Sequence, residues 1–148
     1  MKVREIMVPT VDSINAANTI AYAAARMAED DIGAFPVLSA GDLVGIVTDR
    51  DIAVRSVAAS IPIDAPVRRI MTEPVSTCSP DDEVETVLAL MSREQVRRVP
   101  VCDPKGQVIG MISLSDAAKF DSFKRVAAET LTDICEPSGL HCQAPVFA

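Results

Sequence analysis

Two short stretches of the chain place a hydroxyl residue three positions before an aspartate, each after a glycine and two aliphatic residues. They are Thr48-x-x-Asp51 in GIVTDRD and Ser113-x-x-Asp116 in GMISLSD. A hydroxyl followed by an acid at this spacing is an ordinary way to cap the start of a helix. A carboxylate one turn into a helix can also accept charge-assisted hydrogen bonds from two neighbouring sugar hydroxyls. The two roles are compatible, and both interpretations remain open.

Arginines near both motifs are candidates for binding phosphate. Arg50 lies inside the first motif, whereas Arg97 and Arg98 precede Val99-Pro100 in the second half of the chain. A guanidinium can hold a phosphate through two hydrogen bonds, and strand alternation sends neighbouring residues to opposite faces, so one of the pair is expected to face a site. The alternative is that these arginines are solvated surface side chains. The unequal charges predict two sites of unequal affinity or ligand preference.

The chain contains an internal repeat of about 60 residues, which is the pattern to look for first in any sequence. The two motifs match at an offset of 65 residues and the segments before them at an offset of 64. One extra residue in the turn before the second motif explains the difference. The matched positions are Met7 with Met71, Val11 with Val75, Met27 with Met91, and Pro36-Val37 with Pro100-Val101.

Each copy predicts the order strand, helix, strand, strand, helix. Short first strands are expected near Thr10–Ser13 and Pro74–Thr77, and the helices that follow are expected to be capped by Asn15 and by Ser79. The helix stripes are Ile20, Ala23, Ala24 and Met27 in the first copy, and Val84, Val87, Leu88 and Met91 in the second. The later strands are expected at Phe35–Leu38, Leu43–Val47, Val99–Cys102 and Gln107–Ile112, with turns between the members of each pair.

The C-terminal region is expected to extend the last helix over residues 117–134, followed by an irregular tail. Its apolar stripe, typical of a core or dimer contact, consists of Phe120, Phe123, Ala127, Leu131 and Ile134. Cys135, His141 and Cys142 lie beyond it and could contribute metal ligands, but they lack the paired spacing of known sites, so no metal is predicted.

Composition excludes several classes of protein. The 148 residues carry a net charge of −7, which argues against nucleic-acid binding, and 49% of them are hydrophobic, which indicates a packed globule. No apolar stretch is long enough to span a bilayer and no export signal is visible, so a soluble, cytoplasmic protein with four reduced cysteines is expected. His141 is the only histidine, and no P-loop or G-x-G-x-x-G occurs, so no enzyme activity is predicted.

With the repeat and the motifs established, the chain resembles a cystathionine-β-synthase (CBS) domain pair, or Bateman module, of the stand-alone bacterial type. The resemblance covers roughly residues 1–120. It is carried by both motifs and by four shorter elements, Ile6-Met7, Ile70-Met71, Phe35 to Val37, and Val99 to Val101. Any one of these is weak evidence, but two full sets in the same order are a strong signal.

The resemblance implies an α+β fold of two tandem β-α-β-β-α repeats that pack through their sheets about a pseudo-twofold axis. The repeats are expected at residues 1–64 and 65–120, with a C-terminal helix and tail at 121–148. It also implies clefts between the repeats that bind adenine nucleotides, with the motif aspartates on the ribose hydroxyls and the motif Thr or Ser on ribose or phosphate. The implied nucleotide-binding set is Thr48, Arg50, Asp51, Ser113, Ser115, Asp116, Arg97, Arg98, Val11, Val75, Ala34, Pro36 and Pro100.

The function expected from the resemblance is that of a sensor that signals by a change of shape or assembly. Its expected ligand is AMP, with ATP, ADP and NAD as alternatives. The nucleotide is a regulatory ligand, and no cofactor is required. A homodimer or larger ring and an unidentified regulated protein are the expected partners, with no nucleic acid and no membrane. The alternative is a structural or interaction protein that keeps the fold and binds no ligand.

Overall fold

The computed structural model describes residues 1–9 and 11–137. Within them the chain divides into two compact units. The first-motif unit comprises residues 11–75 and 106–108 and carries Thr48 and Asp51. The second-motif unit comprises the described residues of the ranges 1–10, 76–105 and 109–148 and carries Ser113 and Asp116.

The first-motif unit is a three-stranded sheet with its helices. Its elements in chain order are β2 (Ile14–Asn15), α1 (Ile20–Asp30), β3 (Ala34–Ser39), β4 (Asp42–Thr48) and α2 (Asp49–Asp51), which continues as a π-helical segment, Ile52–Val57. The central strand β3 pairs in parallel with β2 and antiparallel with β4. The apolar face of α1 packs on this sheet, and Ile20, Phe35 and Val37 are fully buried between them. The motif therefore begins at the end of a buried strand.

The second-motif unit is also a three-stranded sheet with its helices, but its strand order differs and it has one additional helix. Its elements are β1 (Val8–Pro9), α3 (Val84–Glu94), β5 (Arg98–Cys102), β6 (Val108–Ser113), α4 (Leu114–Ala118) and α5 (Lys124–Cys135). Strand β6 lies between β1 and β5 in the sheet. Leu88, Met91 and Ile112 are fully buried in the core, and Phe123 and Ala127 join it from the start of α5.

In each unit, one short segment of the core belongs to the other copy of the repeat. The 3₁₀ turn Val3–Glu5 packs in the second-motif unit and the turn Val67–Arg69 in the first-motif unit, where Val3 and Val67 are both fully buried. The backbone pairings correspond as well, because Val8 pairs with Met111 and Thr72 pairs with Ile46 at the same offsets as the sequence repeat. The repeat seen in the sequence is thus a repeat of strand pairing.

The glycine that opens each motif permits this close pairing. A Cβ on Gly45 would lie 2.5 Å from the sulfur of Met71 and 3.2 Å from the carbonyl oxygen of Thr72. A Cβ on Gly110 would lie 2.9 Å from the carbonyl oxygen of Val8 and 3.0 Å from the sulfur of Met7. The Ile-Met segments therefore pack directly against the strands that lead into the motifs.

The sequence placed several helix starts and short strands wrongly. Thr19 caps α1, because its hydroxyl accepts a hydrogen bond from the Tyr22 amide at 3.0 Å, whereas the side chain of Asn15 accepts one from the Ala17 amide and closes a local turn. Ser79 forms a similar turn with Asp82 four residues too early, and α3 begins only at Val84. Both errors have one cause, because Asn, Ser and Asp stabilise turns and helix starts by the same side-chain bonds.

The predicted first strands are displaced. Thr10 lies outside the described residues, and the strands β1 and β2 lie on either side of the expected stretch. In the second copy two isolated bridges lie on either side of the expected stretch, one between Thr72 and Ile46 and one between Cys78 and Val101. Two-residue strands leave almost no periodic pattern in a sequence, so their bounds could not be read from it.

The predicted continuous helix over residues 117–134 is wrong, because α4 ends at Ala118 and α5 starts at Lys124. Turn hydrogen bonds from the Phe120 amide to the Ala117 carbonyl and from the Phe123 amide to the Phe120 carbonyl separate the two helices. Both phenylalanines still pack on the core, which is why the apolar spacing looked helical throughout. Leu131, expected in a stripe that forms a core or dimer contact, is 43% exposed and therefore does not belong to the core.

The α+β class and the C-terminal helix are confirmed, and the strands form two three-stranded sheets. The tail that contains His141 and Cys142 lies outside the described residues. The repeat boundary between residues 64 and 65 stays a prediction. Among the described residues, none of the helices combines the length and apolar composition that crossing a bilayer requires.

Candidate functional site

The first motif is a closed capping box. The amide of Thr48 donates to Asp51 Oδ2 at 2.9 Å, and the amide of Asp51 donates to Thr48 Oγ1 at 3.1 Å. Asp51 is only 2% exposed. Two backbone donors that would otherwise be unsatisfied at the start of α2 are therefore paired by the motif itself.

Arg55 connects the first motif to residues 70–72 of the second copy. Its Nε lies 3.8 Å from Asp51 Oδ1, and its NH1 donates to the carbonyls of Ile70 and Met71 and to the hydroxyl of Thr72 at 3.1–3.2 Å. The side chain is only 37% exposed. Arg55 thus joins the π-helical segment after α2 to the Ile-Met segment of the second copy, which packs in the same unit.

The remaining charges of the first motif lie at its outer edge. Asp49 and Arg50 are both exposed. The amide of Asp49 donates to the carbonyl of Gly33 at 3.0 Å, and a Cβ on Gly33 would lie 3.1 Å from the Asp49 carboxylate. The Asp49 carboxylate also accepts a hydrogen bond from the Arg50 amide at 2.8 Å, so a negative charge lies directly beside the Arg50 backbone.

The second motif closes the same box with additional hydroxyl contacts. The amide of Ser113 donates to Asp116 Oδ2 at 3.0 Å, and the amide of Asp116 donates to Ser113 Oγ at 3.2 Å. Ser113 Oγ also donates to Asp116 Oδ2 at 2.5 Å and lies 2.8 Å from Ser115 Oγ. The capping interpretation is observed in both motifs, and it accounts for one oxygen of each aspartate.

Lys119 holds the other oxygen of the second aspartate. Its Nζ lies 3.0 Å from Asp116 Oδ1. Burial of Asp116 acts to raise the pKa of its carboxyl, but the hydrogen bonds from Ser113 and Lys119 outweigh burial and lower the pKa below the ordinary value of 3.8. Asp116 is therefore ionised in the folded protein at neutral pH.

A cavity of about 470 Å³ lies beside the second motif, entirely within the second-motif unit. The described residues around it include three cations, two motif hydroxyls and no carboxylate. They are Arg97, Arg98, Ser113, Leu114, Ser115, Ala118, Lys124, Ala127, Ala128 and Leu131. A concave site with this charge on a chain of net charge −7 is suited to an anionic ligand.

The cavity brings together only part of the residue set predicted from the sequence. Arg97, Arg98, Ser113 and Ser115 line it, whereas Asp116 lies buried behind them. Both arginines are exposed at its rim, although strand alternation predicted that only one would face a site. The rule failed because Arg97 lies before the first residue of β5, where the strand geometry has not yet begun.

The other predicted residues belong to strands and connections. In the first-motif unit, Ala34 pairs with Thr48 and Pro36 pairs with Ile46 across the sheet, and both are buried. Val11 and Val75 are half-buried residues of that unit. Pro100 is buried in β5, and its carbonyl accepts a hydrogen bond from the Cys78 amide at 3.1 Å. None of these five lines the cavity.

Three cations near the motifs were missed from the sequence. Arg55 and Lys119 follow the motif aspartates by four and three residues, which is the spacing of ion pairs on one helix face and could have identified them. Lys124 lines the cavity from another helix, so no local spacing marks it.

The described cysteines are free, and burial raises the pKa of the Cys78 thiol to about 12. Cys135 is exposed. Among the described residues, no group of three or more His, Cys, Asp or Glu side chains is placed to hold a metal ion.

Comparison with known proteins establishes the family. The family model of the CBS domain matches residues 3–57 and 67–122, one match for each copy of the repeat. The chain belongs to the CBS domain family. It is 33% identical over 132 residues to the CBS domain-containing protein YhcV of Bacillus subtilis, covering 89% of this chain and 94% of that protein.

Two similar solved structures contain bound small molecules or metal ions. The CBS domain pair of protein MJ0100, in complex with 5-methylthioadenosine and S-adenosyl-L-methionine, is 28% identical with a TM-score of 0.76 over 84% of this CBS chain and 98% of that chain. Hypoxic Response Protein I, with two coordinated zinc ions, is 30% identical with a TM-score of 0.73 over 80% of this chain and 98% of that chain. Both share the CBS pair fold described above.

Proposed function

We propose that this CBS pair is a regulatory module, not an enzyme, that binds an adenine nucleotide at one or both motifs and signals by a change of conformation or assembly. The observation that carries the proposal is the cationic cavity beside the second motif. It presents Arg97, Arg98 and Lys124 together with the hydroxyls of Ser113 and Ser115. Guanidinium, ammonium and hydroxyl groups are the donors that bind phosphate in proteins.

The apolar part of the cavity lining supports a nucleotide over a free phosphate. Ala118, Ala127, Ala128 and Leu131 also line it, and pockets for small organic ligands are mostly apolar with a few polar groups that fix orientation. The bound adenosyl compounds of protein MJ0100 support an adenosine-containing ligand for a chain of this fold. AMP, ADP, ATP, NAD and S-adenosylmethionine are the ligands to test.

The proposal also includes a nucleotide site at the first motif. Arg50 is its exposed cation, and Asp49 lies beside it. We expect weaker binding of phosphate there, because the neighbouring carboxylate repels the ligand. The described residues that line the cavity beside the second motif include no carboxylate.

Isothermal titration calorimetry with the five ligands tests the proposal, and Ser115→Glu is the variant that localises binding. Ser115 is exposed on the cavity wall, and an acidic residue is well tolerated in the first turn of a helix, so the variant should fold. The new carboxylate should reduce nucleotide affinity at least tenfold, since like charges repel in a confined site. Ser122→Glu, at an exposed position outside the cavity lining, is the matched control.

Failure of all five ligands to bind at millimolar concentration would refute the proposal and favour the alternative of a ligand-independent interaction protein. Equal loss of affinity in Ser115→Glu and Ser122→Glu would show that the cavity is not the binding site.

A further inference from the structure

Helix α5 forms one wall of the cavity, although it lies beyond the part of the chain that the CBS family model matches. The second match ends at residue 122 and α5 starts at Lys124. Four of its residues line the cavity, Lys124, Ala127, Ala128 and Leu131. The wall is therefore a feature of this chain rather than of the shared repeat.

The position of α5 is fixed by the end of α3. The side-chain amide of Gln95 donates to the carbonyls of Asp133 and Glu136 at 2.9 and 3.0 Å. Ser92 adds a hydrogen bond from its hydroxyl to the Asp133 carboxylate. Together with the burial of Thr130, these bonds hold α5 against the unit as a structural wall.

The cavity face of α5 changes from charged to apolar along the helix. Lys124, Ala127, Ala128 and Leu131 are spaced by three, four and seven residues from the first, so they share one face. At 1.5 Å per residue the face extends for about 10 Å from the ammonium end to Leu131. A nucleotide can lie along this face with its phosphates at Lys124 and its base toward Leu131.

The charge of the lining favours more than one phosphate. Arg97, Arg98 and Lys124 supply three positive charges without a lining carboxylate, whereas a single phosphate group carries at most about two negative charges. Lys124 also contacts Asp121 at 2.5 Å, but both side chains are largely exposed, at 63% and 91%. An exposed pair of this kind is weak, so Lys124 can turn toward a ligand.

Building on the proposed function, we propose that α5 completes the nucleotide site of the second motif and makes it select a nucleotide with two or more phosphates. Lys124 binds the terminal phosphates together with the arginine pair, and the apolar face at Ala128 and Leu131 contacts the base. The residues beyond the family match thus determine which nucleotide this CBS pair senses.

In competition photolabelling with 8-azido-ATP, the tryptic peptide that carries most of α5 reports on this site. Trypsin cleaves after Arg125, so a base lying against α5 should label the peptide that starts at Val126, within residues 127–131. Unlabelled ATP should displace the label at a concentration at least about tenfold lower than AMP, because one additional charged hydrogen bond contributes about 1.5–3 kcal/mol. Labelling confined to other peptides, or equal competition by AMP and ATP, would overturn the inference.

Lys124→Gln tests the role of the lysine, with Lys105→Gln as the matched control. Lys105 is exposed in the turn between β5 and β6 and does not line the cavity. Its substitution therefore removes the same charge away from the cavity. We expect Lys124→Gln to raise the half-competing ATP concentration about tenfold and that of AMP less than about threefold. Equal effects of the two substitutions would overturn the role of Lys124.

The outcomes separate this inference from the proposed function. If calorimetry detects nucleotide binding while the α5 peptide stays unlabelled, the proposed function stands and the α5 site is wrong. If calorimetry detects no nucleotide binding, both are wrong.

Discussion

The two motifs have nearly identical backbone geometry and different surroundings. The capping bonds measure 2.9 and 3.1 Å in the first motif and 3.0 and 3.2 Å in the second. The aspartate of the first motif lies beside Arg55, whose guanidinium binds the Ile-Met segment, whereas that of the second lies beside the exposed Lys119. The second motif lies beside a cavity that is lined by three cations.

This difference shows that the motif by itself specifies a helix start, while the residues around it determine what the helix start can bind. Duplication preserved the strand, the turn and the cap in both copies. The charges that distinguish the copies lie at the edges of the shared elements, at Arg50, at Arg97-Arg98, and in α5.

The largest expected effect is on nucleotide binding at the second site. The double substitution Arg97→Gln, Arg98→Gln should weaken ATP binding about 100-fold, and Arg50→Gln about tenfold or less, because each charged hydrogen bond contributes about 1.5–3 kcal/mol. Calorimetry measures both.

The matched control for the arginine pair is the double substitution Arg68→Gln, Arg69→Gln. These two arginines are also adjacent in the sequence and exposed, but they do not line the cavity. An equal loss in this control would attribute the effect to net charge. An equal loss in Arg50→Gln would remove the functional difference between the motifs.

The next effect concerns the segments that pack on the motif strands. Gly110→Ala should lower the free energy of unfolding by about 2 kcal/mol, because the new methyl group meets a backbone carbonyl at 2.9 Å and forces a shift. Gly45→Ala should cost less, since its closest neighbour is the sulfur of the flexible Met71 side chain. Urea unfolding of both variants tests the order, and the reverse order would contradict it.

A smaller difference is expected between the two cations that contact the aspartates. Arg55→Met should lower the free energy of unfolding by about 1.5 kcal/mol, because three acceptors on residues 70–72 lose their donor. Lys119→Met should change it by less than about 0.5 kcal/mol, since the lysine is 72% exposed. Thermal unfolding checks the comparison, and similar values for the two variants would refute it.

The smallest expected effect is the pH dependence of stability due to Asp116. Its pKa is lower in the folded protein than the ordinary 3.8, so its ionised form stabilises the fold fully at pH values well above 3.8. That contribution is lost as the pH falls through 3.8 toward the folded-state pKa. The stability difference between the natural protein and Asp116→Asn should therefore be constant at neutral pH and shrink in acid.

Urea unfolding between pH 7 and pH 2.5 measures this difference, with Asp42→Asn as an exposed control. A stability difference in Asp116→Asn that stays constant to the lowest pH would contradict the lowered pKa.

Much of the fold follows from local patterns in the sequence. The repeat, the strands β3 to β6 and the helix caps at Thr48 and Ser113 were predicted from the sequence. Strand alternation, turns and hydroxyl-x-x-aspartate spacing are short-range signals. The helix start at Thr19 was missed because Asn15 offers equivalent local bonds. The ambiguity is physical, since both side chains can pair a backbone amide.

The cavity could be predicted only in part, because its walls come from different elements. Arg97, Arg98 and the motif serines, which line the cavity, were predicted because they lie within or next to the repeated sequence elements. Lys124 and Leu131 were not, since their position depends on the break after Ala118 and on the bonds from Gln95 that orient α5. Such packing leaves no fixed spacing in the sequence.

The crossed origin of the core segments has a consequence for the ancestry of the chain. Val3 begins the first family match but completes the core of the second-motif unit, and Val67 does the reverse. A single-copy ancestor would have lacked this valine and the paired strand in its own core. Two ancestral polypeptides complete each other when they exchange these segments, as in a domain-swapped dimer. In this chain the same exchange is intramolecular, because both segments belong to one polypeptide.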